Sequence, residues 1–216
     1  MSTTSSSTWE PKQERSRDMR LRLLHAAWEI VREKGYEGLT VPEVAARAGA
    51  STGAFYRRFS SKEAMLEQLD VFLFEQSLDA WRRQLEPGMW DWKSAADVVT
   101  GVVQLIAWSY SGQQVMNRSL AVRWRTADLS AAAREAAARH YSEFADLVVA
   151  RLADFRSEVG HPDPRFAIGF VIDVAEATLV ERVAFADRAL SGDAISVERF
   201  VREMQDLALA YMRISR

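Results

Sequence analysis

Apolar residues recur at helical spacing along most of the chain, and glycines, prolines and capping hydroxyls punctuate the stretches between them. Leu23, Leu24, Ala27, Ile30 and Val31 predict a helix over 17–34, closed by Gly35. Thr40 stands three residues before Glu43, the spacing of a capping box. Val41, Val44, Ala45 and Ala48 then give a short helix over 41–48. Gly49 interrupts it, Ser51 caps again, and Phe55 and Phe59 turn one face of a helix over 52–59 into a small core. Ser60 and Glu63 repeat the capping-box spacing ahead of a helix from Lys62 to about Leu85, which Pro87-Gly88 closes. Further periodic stretches predict helices over about 94–110 and 113–124, and one from Asp128 or Ser130 to about Phe155. Two more follow, over about 165–190 and from Ser196 onward. No pair of stretches alternates as paired strands do. The expected fold is all-α with about nine helices: an N-terminal helix-turn-helix head of three helices, 15–62, and a larger helical body, 63–216.

Composition narrows this only slightly. At 216 residues, 48% of them hydrophobic, the chain can bury a real core. Residues 1–14 are rich in Ser and Thr and read as a disordered tail. The absence of cysteine removes disulfide and thiolate chemistry. No signal-like apolar core opens the chain and charge breaks every apolar run, which points to a cytoplasmic protein without a membrane partner. Charge is unevenly placed: residues 1–62 carry eleven Lys or Arg against seven Asp or Glu, and the remainder seventeen against twenty-three. A basic front on an acidic body suits one end that binds nucleic acid, although ordinary variation in surface charge gives the same numbers.

The helix over 52–59 is the candidate reader of DNA. With Phe55 and Phe59 turned inward, Thr52, Gly53, Tyr56 and Arg57 remain for the other side. Gly53 is costly inside a helix unless something must approach closely. Ala54 could offer its methyl to a thymine, and Thr52 or Arg57 could reach a base edge. Tyr56, Arg58 and Lys62 suit phosphate. Arg17, with Arg15, Arg20 and Arg22, sits at a helix start where the dipole disfavours cations; a DNA backbone would supply the missing charge, and so would solvent. From Arg22 to Glu63 the chain reads RLLHAAWEIVREKGYEGLTVPEVAARAGASTGAFYRRFSSKE. Gly35-Tyr36, Thr40, Val44-Ala45, Ala48-Gly49, Ser51, Gly53, Phe55-Tyr56, Phe59 and Lys62-Glu63 all stand at the spacing of the tetracycline-repressor (TetR) family's DNA-binding module, which this stretch resembles. The resemblance implies that Thr40, Ser51, Tyr56 and Lys62 contact the backbone of operator DNA and that Thr52, Gly53, Ala54 and Arg57 face its bases. Val41-Pro42 departs from the family, where a polar residue often assists contact, and shifts the expected interface onto the third helix.

Beyond the head, the resemblance covers only length and helical character. It implies a homodimer formed through about 165–213, where small and large apolar residues alternate, and a small-molecule effector held in the body of a repressor. A DNA-binding regulator or architectural protein without an inducer is the alternative. Large residues able to line a cavity or simply fill a core are Phe72, Trp81, Trp90, Trp92, Trp108, Met116, Trp124 and Phe170. Polar candidates for the lining are Asn117, Arg123, His140, Asp173 and Glu176; the acids favour a cationic ligand and Arg123 the opposite. His25, His140 and His161 are isolated, and no metal, phosphate-loop or nucleophile signature is present, so no catalytic residue, metal or cofactor is expected.

Overall fold

The computed structural model describes residues 12–111, 114–126, 129–184 and 196–215. Residues 1–11 of the expected tail, and the end of the 165–190 helix with the turn after it, lie outside the described residues. Among the described residues there are nine α-helices, one 3-10 helix and no strand. The helices are α1 (Lys12–Lys34), α2 (Val41–Arg47), α3 (Thr52–Tyr56), α4 (Lys62–Gln84), α5 (Ala95–Tyr110), α6 (Gln114–Thr126), α7 (Ala131–Leu152), α8 (Pro164–Ala184) and α9 (Val197–Met212).

The boundaries follow capping chemistry. Thr40, Ser51, Ser61, Ser94, Ser130 and Ser196 each accept a backbone amide of the first turn. Ser61, not the expected Ser60, caps α4, its hydroxyl 3.0 Å from the Ala64 amide. α1 starts five residues earlier than expected, so residues 12–14 of the expected tail are helical. α3 is shorter than expected, with Arg57 as its C-cap. The helix expected to reach Phe155 ends at Leu152 and tightens into a 3-10 turn (Ala153–Glu158), inside which Phe155 leaves helical dihedrals at φ −112° and ψ 20°.

Two hydrophobic cores result. The head core gathers Leu23, Ile30, Leu39, Phe55 and Phe59 and continues past residue 62 into α4 through Met65, Leu69 and Phe72; Met116 of α6 also joins it. The body core packs α5 against α8 and α9, and α7 against α4 and α8. α6 touches both halves, lying against α1 on one side and α8 on the other.

Candidate nucleic-acid interface and internal cavity

The head divides its cations between structure and surface. Arg47 of α2 forms a fork with Glu33 of α1, at 2.7 and 2.9 Å, and Lys34 reaches Glu43 at 2.7 Å. These pairs fix α2 against α1. On α3, Thr52, Gly53, Tyr56 and Arg57 are exposed together, Tyr56 with 57% of its surface open. Arg57 makes no hydrogen bond or ion pair with a described side chain. A Cβ added to Gly53 would find Ser51 Oγ at 3.8 Å and Arg57 Nη1 at 3.9 Å as its nearest side-chain atoms, so the fold itself does not require glycine there. Lys62 is half-buried in the first turn of α4, and Arg17 is exposed on α1.

Thr40 and Ser51 spend their side chains on caps, at 3.4 Å to the Glu43 amide and 3.1 Å to the Ala54 amide. Two residues stand differently from the expected interface. Ala54 is buried, so its methyl does not stand on the exposed face with Thr52 and Arg57. Beside it, Arg58 folds back and donates to the Ala54 carbonyl at 3.1 Å, which draws this guanidinium onto its own helix.

Head and body meet at a buried charge. Asp70 of α4, 1% exposed, receives Arg123 of α6 through two nitrogens: Nε lies 2.9 Å from Oδ1 and Nη2 2.5 Å from Oδ2. The Tyr36 hydroxyl donates to the same carboxylate at 3.0 Å, and its ring lies 4.9 Å beneath the Arg123 guanidinium. Burial, followed by the Asp70 charge, pushes the Tyr36 hydroxyl well above the ordinary phenol range. The Tyr36 amide donates to Ser119 Oγ at 2.7 Å. Gly35, at φ +71°, makes room for that approach, because a Cβ there would stand 2.9 Å from Ser119 Oγ. The end of α1 is thereby tied to α4 and α6 at one point.

Next to this junction, α4, α5, α6, α7 and α8, with Trp28 of α1, line a partly open cavity of about 380 Å3. Met116, Asn117, Trp124, His140 and Glu176, all expected from sequence, line it. Phe74 stacks on Trp124 with ring centroids 4.6 Å apart. Sequence reasoning overlooked the lining residues Phe74, Tyr110 and Tyr141, because a helical period marks an inward face without saying what the face looks onto. Burial pushes Glu176 up to about 7, with Asp173 adding to the rise and a hydrogen bond from Tyr141 opposing it. Burial holds His140 down at about 4, partly offset by a bond to the Phe74 backbone, and its Nδ1 has no partner.

Other expected liners lie elsewhere. Phe72 belongs to the head core and meets His25 edge-on. Trp108 is 55% exposed in a surface cluster with Trp90 and Trp92. Phe170 is 47% exposed beside Tyr211 in the α8–α9 groove. Asp173 is exposed on α8, and Arg123 is held by Asp70 and does not line the cavity. Among the described residues, no group of three or more His, Cys, Asp or Glu side chains could hold a metal ion, and no helix is long and apolar enough to cross a membrane.

The three N-terminal helices, the second and third of them capped and the third exposed on one face, have the helix-turn-helix arrangement, and the helices that follow line a partly open cavity. Residues 23–69 match the family described as bacterial regulatory proteins, tetR family. An uncharacterized HTH-type transcriptional regulator of Bacillus subtilis (strain 168), YvdT, is 31% identical over 85 residues, which span 39% of this chain and 43% of that relative. Among solved structures, a TetR transcription regulator from Haloarcula marismortui is 15% identical with a TM-score of 0.65, covering 91% of this chain and 97% of its own. The transcriptional regulator FadR from Bacillus subtilis, in complex with stearoyl-CoA, is 18% identical with a TM-score of 0.59, covering 88% and 98%. At these identities the structural likeness is one of fold.

Proposed function

We propose that this protein is a sequence-specific DNA-binding transcriptional regulator of the cytoplasm. In this reading it is a homodimeric repressor whose hold on operator DNA is released by a small molecule in the body cavity. The observation that carries the proposal is the face of α3. Thr52, Gly53, Tyr56 and Arg57 stand exposed together, and the glycine among them has no internal reason to be one. A groove-facing helix needs close backbone approach and side chains free to reach base edges, and this face supplies both. Arg57 is the base-edge candidate; Tyr56, Lys62 and Arg17 are the candidates for phosphate, as are the amides of the helix starts capped by Thr40 and Ser51. Ala54 has no role in this reading, and Arg58 joins only if it leaves the Ala54 carbonyl.

The cavity supports effector control over the alternative of an architectural protein without an inducer. Its lining is mostly apolar and aromatic with a few polar side chains, and its volume falls in the range of ligand pockets, roughly 300–1,000 Å3. It also abuts the junction that ties α6 to α1. A ligand that spreads or draws in α6 changes the stance of the head, which is a shift between two shapes of the dimer. Mobility-shift titration of promoter fragments against bulk DNA tests the DNA claim. One fragment should bind with at least ~10³-fold preference at physiological salt, in the range of specific DNA-binding proteins. Equal affinity for every sequence would refute specific regulation. Arg57→Ala should flatten sequence preference, whereas Lys62→Ala should weaken all DNA and lower the salt slope by about one.

A further inference from the structure

We propose that the body cavity takes a small organic cation, an amine on a flat apolar frame, with its ammonium held by the Glu176 carboxylate. This rests on the reading of the cavity as an effector site and names the chemistry of its ligand.

The walls set the frame. Trp124 stacks against Phe74, and Trp81 stacks on Phe144 at 4.2 Å, so the rings of Trp81 and Trp124 are held rigidly where they meet the cavity. Tyr110 and Tyr141 add two further rings. Aromatic faces are negative at their centres and attract a desolvated cation as well as packing against a flat ring. The volume of about 380 Å3 suits one or two fused rings with a short arm.

The polar groups set the charge. Among the described residues no Lys or Arg lines the cavity, while Glu176 does. Arg123, the cation that sequence placed nearby, is committed to Asp70 at the head junction. The Asn117 amide is also committed, donating to the Tyr110 carbonyl at 2.7 Å. His140 is 4% exposed, is kept neutral by burial and has an unpartnered Nδ1. A ligand therefore meets a carboxyl group, aromatic faces and the neutral polar residues Gln76, Ser77 and Ser109, a lining that favours positive charge. A carboxylate or phosphate would enter against Glu176 with only neutral donors among the described lining residues, so burying its charge would be costly. The larger cleft of about 520 Å3 between the end of α7 and the start of α8 has no aromatic side chain in its lining and no such arrangement.

The test uses the full chain and three probes that share one frame: 1-naphthylmethylamine, 1-naphthylmethanol and 1-naphthoate. Binding is followed at pH 8 by calorimetry and by quenching of tryptophan fluorescence. The amine should bind about tenfold or more tightly than the alcohol, and the naphthoate should not bind. Glu176→Gln should erase the amine's advantage while leaving the alcohol's affinity unchanged. Naphthoate binding as tightly as the amine would overturn the proposal, and so would an amine advantage that survives Glu176→Gln. If the alcohol or naphthoate binds and the amine does not, the effector site stands and the cationic class falls. If none of the three binds, both the cationic class and the effector reading fail.

Discussion

A methyl group added at Gly53 would find its nearest side-chain atoms at ordinary contact distances of 3.8 and 3.9 Å, so Gly53→Ala should raise stability by about 0.5–1 kcal/mol through helix propensity. The same methyl would stand where a groove must approach, so operator affinity should fall while chemical denaturation shows the gain. Loss of stability, or full retention of binding, would remove the argument for α3. Glu176 provides a second prediction, in which the sign matters. Its folded value of about 7 lies above the ordinary 4.5, so its stabilising share is complete below pH 4.5 and is lost as pH rises through 7. His140, held at about 4 from 6.5, acts oppositely, its penalty growing as pH falls from 6.5 to 4. Tyr110, Tyr141 and Asp173 bear on Glu176, His140 lines the same cavity, and burial raises Asp173 above its ordinary 3.8 as well. Glu176→Gln should therefore be more stable than the parent at pH 8, by up to about 3 kcal/mol, and no more stable at pH 4.5. Thermal melts across that range check it. The caps at Thr40 and Ser51 were legible at this scale because capping is chemistry of a few adjacent residues. The burial of Ala54 was not, because which side of so short a helix packs inward is decided by its tertiary neighbours.

Among the elements, α6 carries the coupling, and the Asp70–Arg123–Tyr36 cluster is its anchor. A buried ion pair that loses one partner leaves an uncompensated charge, whereas losing both leaves none. Asp70→Asn should cost about 3 kcal/mol, and Arg123→Met added to it should restore part of that loss. Denaturation of both single variants and the double variant measures the coupling; strictly additive losses would show that the two side chains do not act as a unit. None of this was legible from sequence. Asp70 carries no motif that marks it in the sequence, and Arg123 stood there only as a candidate for binding an anion. Their pairing depends on α6 crossing α1 at Gly35, a contact between segments more than 80 residues apart whose only local trace is a glycine that also serves as a helix stop.

Across the whole molecule, the order and number of helices could be read because each repeats its apolar positions at the helical period and most carry a hydroxyl cap. The partners of their apolar faces could not, since core, cavity and interface impose the same period. Phe72, Trp108 and Phe170 show the three outcomes, one in the head core, one on the surface and one beside the α8–α9 groove. That groove is the strongest remaining surface feature. Phe166 and Phe170 stack on α8 and Leu207 of α9 is 56% exposed, leaving an apolar face that an isolated chain would wet. A two-fold partner laid on it would bury the face and present two heads to two half-sites, which a single short reading helix needs for specificity. Phe170→Glu combined with Leu207→Glu places four carboxylates at such an interface while leaving each chain's interior intact. By sedimentation, the variant should be monomeric at micromolar concentration, with helical content and the naphthalene-probe response preserved. Its operator affinity should fall roughly 100-fold, because the second head no longer binds as part of the same particle. A variant that stays dimeric would move the interface away from α8 and α9, and a monomer with undiminished operator affinity would remove the need for a dimer in DNA recognition.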